Sequence, residues 1–119
     1  VTPTTLVTGA SAAAREAAIA AAIESGLPTA LILEGLPSGT MQLDNIAQSP
    51  HLHIARIAPG CFCCTGNLTM RVTLNRMLRK QPARLYISLA TVDHLEGLRS
   101  FLLQPPYNNF LVLTKDMQA

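Results

Sequence analysis

The sequence predicts an α/β fold, a parallel β-sheet sandwiched by helices. Two observations carry this expectation. Short β-branched or continuously apolar runs alternate with helix-forming segments in the order βαβ then βαβαβ, the mark of a covered parallel sheet. The hydrophobic share is 49% against 13% charged, a balance that suits a sheet with both faces buried.

Thr4 to Thr8 is a β-branched run that stops at Gly9 and reads as the first strand. Ser11 is placed to cap the Ala-rich segment Ala12 to Ser25, whose composition favours a helix. Gly26 and Pro28 end it. Thr29 to Leu33 is continuously apolar and predicts a strand buried on both faces. Glu34 to Asn45 has the Gly and Pro content of a loop. His51 to Ala58 predicts a third strand, with His51 and His53 on one face. Asn67 to Lys80 reads as an amphipathic helix with Leu68, Val72, Met77 and Leu78 near one stripe. Arg84 to Ala90 is a further strand. Asp93 to Gln104 is a helix with Thr91 or Asp93 as its cap, ended by Pro105-Pro106. Asn109 to Thr114 is the last strand.

The 119 residues fit one domain, 1–119. A chain of that length buries roughly two-thirds of its unfolded surface and needs neither disulfide nor metal to fold. Aromatics make up 4% with no Trp, which argues against stacking platforms for single-stranded nucleic acid. The cations clustered from Arg71 to Arg84 read as the solvated face and end of a helix, with a surface for an acidic partner as the alternative. Val1 to Thr5 carries no signal-peptide pattern. The longest apolar stretch, Ala17 to Ile23, is far short of the ~20 residues of a membrane span, so no membrane partner is expected. Three Cys within four positions make no disulfide framework and point to a reducing, cytoplasmic setting.

The junction from the first strand to the first helix is where a phosphate-binding loop, G-x-x-x-x-G-K-[ST], would stand. Gly9 matches the first glycine. Ala14 replaces the second, Arg15 the lysine, and Glu16 the Ser or Thr. Ala14 adds a Cβ where the loop needs glycine's freedom. Arg15 is planar and bulkier than the compact lysine charge. Glu16 sets a carboxylate where a hydroxyl would hold Mg²⁺. What remains is a degenerate anion site of Gly9, Ser11 and Arg15 at a helix N-terminus, and GTP with Mg²⁺ is not expected. The plain alternative is a strand–turn–helix with no ligand. Val7 to Ser11 also resembles the start of a short-chain dehydrogenase, but Ala12 to Arg15 supplies none of the further glycines. That family's Tyr-x-x-x-Lys pair is missing as well, since Ala90 follows Tyr86 and Leu111 follows Tyr107 at that spacing.

Gly60-Cys61-Phe62-Cys63-Cys64-Thr65-Gly66 is the most specific motif. Thiolates are soft ligands for Zn²⁺ and similar ions, and flanking glycines permit a tight turn. Cys61, Cys63 and Cys64 are therefore the candidate metal ligands. His51, His53, Glu34 or water are candidates for the fourth position. Burial of the cysteines as small hydrophobes is the alternative.

This GC-x-CC motif, after a βαβ unit that opens where a phosphate loop would stand, resembles the CobW-type GTPases, relatives of the HypB and UreG nickel GTPases. The resemblance implies a P-loop-NTPase-like half domain and delivery of cobalt or zinc to a client protein. Leu85 to Asp93 resembles the family's next strand, with Ser88 where a Glu and Thr91 where a Gly would stand. Thr114-Lys115-Asp116 is one residue short of the guanine-reading motif. The resemblance thus implies a pseudo-GTPase: a non-catalytic metal-binding or regulatory domain of metal homeostasis, with a metal ion and a client as partners. The rival is a protein-interaction module with structural cysteines.

Overall fold

The computed structural model describes residues 2–23, 26–34, 52–57, 68–89 and 95–119. The elements are β1 (Thr2–Thr8), α1 (Ala12–Ala22), β2 (Thr29–Glu34), β3 (Leu52–Ile57), α2 (Leu68–Arg79), β4 (Arg84–Ser88), α3 (Leu95–Leu102), a 3-10 turn (Tyr107–Asn109), β5 (Leu111–Leu113) and β6 (Met117–Gln118). The strands form one sheet in the order β3-β2-β4-β1-β5, with β6 also against β1. Every pairing among the described residues is parallel, with Leu6 opposite Ile87 and Ile32 opposite the same residue from the other side. The expected parallel α/β sheet is therefore present, with the Leu6-Val7 strand inside it.

The alternation of side chains along each strand divides the core between two faces. Val7, Leu31, Leu33 and Tyr86 pack with Ile19 of α1 on one face. Leu6, Ile32, Leu85 and Ile87 pack with Leu74 and Met77 of α2 and Leu98 and Leu102 of α3 on the other. All six residues of β2 are buried, the apolar run Ala30 to Leu33 together with Thr29 and with Glu34, which the sequence assigns to the following loop. From β1 the chain runs through β2 to β3 on one side, then returns to β4 and continues past β1 to β5. The direction of winding reverses between the adjacent strands β1 and β4. In open α/β sheets ligands bind outside the carboxyl ends of the strands at such a reversal.

Ser11 caps α1, its hydroxyl accepting from the Ala14 N–H at 3.1 Å. The helix closes at Ala22, and Gly26 adopts φ +87° in the turn to β2, a backbone shape that glycine takes without steric cost. Three details differ from the sequence expectation. Val72 is 56% exposed, whereas Thr73, Leu74 and Met77 are buried. Val72 and Met77 stand five residues apart, about 140° around a helix of 3.6 residues per turn, so one narrow stripe cannot hold both. The last strand begins at Leu111 because the 3-10 turn takes Asn109, fixed by Tyr107, whose ring is buried 4.9 Å from that of Phe101. The strand is also broken: β5 pairs with the first half of β1 and β6 with its end, and Thr114 to Asp116 bulges between them. His51, Thr91 and Asp93 lie outside the described residues. No helix among the described residues is long and apolar enough to cross a membrane.

Candidate functional site

The reversal between β1 and β4 is occupied by the chain itself. Arg15 sits in the first turn of α1, and the sharp turn Gly9-Ala10-Ser11 brings it over the carboxyl ends of the strands. The residue is 3% exposed. Its guanidinium donates in three directions. Nε donates to Ser88 Oγ at the end of β4 at 2.8 Å, Nη1 to the Gly9 carbonyl at the end of β1 at 3.1 Å, and Nη2 to the Glu34 carbonyl at the end of β2 at 3.2 Å. One planar fork thus ties three parallel strands at their carboxyl ends. Only arginine offers donors in that fixed spread.

Burial pulls the Arg15 pKa below its ordinary value, and the neighbouring Glu34 and Glu16 carboxylates partly offset this. Glu16 is also buried and takes a two-pronged pair from Arg56 on β3, at 3.1 and 3.2 Å. Two arginine–acceptor sets therefore lie side by side along this edge. Among the described residues no buried side-chain nitrogen or oxygen lacks a hydrogen-bond partner.

Gly9 lies under a second closure. The Ala119 N–H donates to the Thr8 carbonyl at 2.7 Å. A Cβ on Gly9 would stand 2.9 Å from Ala119 Cβ and 3.1 Å from Arg15 Cγ. The glycine is required here for close approach of two segments, not for an unusual φ. Further along the same edge, Asp116 in the β5–β6 bulge is held by Arg99 of α3 at 2.6 and 3.2 Å. The Asp116 hydrogen bond is the main cause of a raised Arg99 pKa.

Gly9, Ser11 and Arg15 are thus brought together at the helix N-terminus, where the sequence places them, with the Arg15 donors aimed at protein oxygens. Cys61, Cys63 and Cys64 lie outside the described residues. Among the described residues no three His, Cys, Asp or Glu side chains converge on a metal-sized site. The roles of Ser88, Arg56 and Arg99 were not read from the sequence. An arginine inside the strand His51 to Ala58 was the available signal for a buried acid partner, since such a cation on a covered sheet needs one. The chain matches no protein-family model, no curated protein and no solved structure.

Proposed function

We propose that this chain is a non-catalytic metal-binding or regulatory domain of metal homeostasis, built like the front part of a CobW-type metallochaperone GTPase without a working phosphate loop. The observation that carries the non-catalytic half is the Arg15 guanidinium, buried and hydrogen-bonded to Ser88, Gly9 and Glu34 at the sheet's reversal point. A phosphate there would have to displace three protein acceptors and lie beside the Glu16 carboxylate. The residues present do not fit a nucleotide's terminal phosphates with Mg²⁺.

The metal half rests on the donor set of Cys61, Cys63 and Cys64, which follow β3 in the chain. Three thiolates suit a soft divalent ion such as Zn²⁺ and leave one tetrahedral position for exchange with a client. Free thiols at this density fit a reducing cytoplasm. Titration of the reduced protein with Co²⁺ tests this half. Thiolate charge-transfer absorption that Cys63→Ser removes supports it, and affinity falls as pH drops because the thiols must ionise. A spectrum without those bands, with no Zn²⁺ bound at micromolar levels, replaces it with the interaction module. GTP binding with Mg²⁺ tests the other half.

A further inference from the structure

Five of the nine cations lie between Arg71 and Arg84, and no Asp or Glu stands anywhere from Asn45 to Val92. Arg71, Arg76, Arg79, Lys80 and Arg84 are all exposed. None of the five is paired with a carboxylate among the described residues. A solvated helix face more often mixes both signs, because like charges at neighbouring positions destabilise a helix.

Two of these cations, Arg71 and Arg79, line adjoining depressions that form a groove. The two depressions, about 780 Å³ and about 330 Å³ in volume, both include Asn75 in their walls. Arg79 and Phe110 both line the larger, and Arg71, Phe101 and Tyr107 line the smaller. The floor is fixed: the Tyr107 hydroxyl donates to Asn75 Oδ1 at 3.1 Å, and the Arg71 guanidinium stands 5.6 Å from the centre of the Phe101 ring. Phe110 is 53% exposed. Arg71, Asn75 and Arg79 follow one another at four-residue spacing, so they share one side of α2. The two arginines stand about 12 Å apart along its axis.

We propose that this groove docks an acidic, extended peptide segment of a partner protein. Charge complementarity selects the occupant. In an extended chain rising ~3.3 Å per residue, carboxylates four positions apart span about 13 Å and meet Arg71 and Arg79 together. An apolar side chain at the middle position, which shares a face with the two carboxylates, rests on Phe110. The groove lies at the amino-terminal end of the sheet, where Thr2 and Pro82 also line it, remote from Arg15. The inference is independent of the metal and nucleotide reading.

The test is fluorescence anisotropy with a labelled peptide Glu-Ser-Leu-Ser-Glu, its Gln-Ser-Leu-Ser-Gln counterpart, and a single-stranded RNA of equal length. The acidic peptide binds at least tenfold tighter than the neutral one and tighter than the RNA. Arg71→Glu and Arg79→Glu each weaken it about tenfold, and raising the salt from about 0.1 M to about 0.5 M weakens it further. Arg84→Glu, outside the groove walls, changes it less than twofold. All three positions are exposed, and circular dichroism confirms that each variant is folded. Equal binding of the two peptides, or equal loss in Arg84→Glu and Arg79→Glu, overturns the proposal. Tighter binding of the RNA also overturns it and makes the face a nucleic-acid surface.

Discussion

Arg15 Nε lies 2.8 Å from Ser88 Oγ, joining the first turn of α1 to the end of β4 across the point where the sheet reverses its winding. Arg15 departs from the phosphate-loop pattern, standing where a lysine would, and Ser88 departs from the β4 pattern that the CobW-type resemblance implies, standing where a glutamate would. The two departures are complementary, because a neutral hydroxyl accepts from a guanidinium without adding a further buried charge beside Glu16 and Glu34.

Arg15→Ala is expected to destabilise the fold by about 3 kcal/mol. It removes a well-packed side chain and leaves Ser88 and two carbonyls without their donor. Arg15→Lys loses about 1–2 kcal/mol, since an ammonium cannot reach three strands at once. The lowered arginine pKa still belongs to a group protonated throughout the ordinary range. The burial cost of the charge is therefore present at every pH below that folded value, and Arg15 itself adds no pH dependence near neutrality. Urea unfolding checks this, and a loss below about 0.5 kcal/mol for Arg15→Ala contradicts it.

Gly9→Ala is expected to cost about 1–2 kcal/mol, because its Cβ would stand 2.9 Å from that of Ala119 and 3.1 Å from Arg15 Cγ. Ala119→Gly should restore part of the loss when combined with it. Thermal unfolding of the two single variants and the double variant decides the matter. Strict additivity would mean that the two residues do not meet.

Glu16 and Arg56 form a pair in which the Glu16 side chain is 3% exposed and the Arg56 side chain 23%. A double-mutant cycle with Glu16→Gln and Arg56→Met should give a coupling of about 1–2 kcal/mol. Glu16→Gln alone is the more damaging change, because it leaves two buried or half-buried arginines short of negative charge. A coupling near zero would make the pair a surface contact.

The sheet was legible because its signals are local. The apolar run Thr29 to Leu33 has the length and the flanking Gly and Pro signals of a doubly covered strand, and Gly9-Ala10-Ser11 marks a strand-to-helix turn. Val72 was misplaced because a valine inside a helical segment is read as core by type, while the angular spacing from Met77 puts it in solvent. Met117-Gln118 is too short for any periodicity, and its pairing depends on β1 offering a free edge. The 3-10 turn at Tyr107 depends on the nearby Phe101 ring and on Asn75, which is distant in sequence. Arg15 was legible as a departure but not as a closure, because its three acceptors come from strand ends that only the folded sheet brings together. Cys61, Cys63 and Cys64 rest on the sequence motif alone.

The central claim is that Arg15 fills the crevice a nucleotide would need. Titration of the protein with a fluorescent GTP analogue, with and without Mg²⁺, tests it most directly. The account predicts no saturable binding up to about 1 mM, which corresponds to less than about 4 kcal/mol of binding free energy, and no Mg²⁺ effect. Micromolar binding that depends on Mg²⁺ and is lost in Arg15→Ala would contradict it.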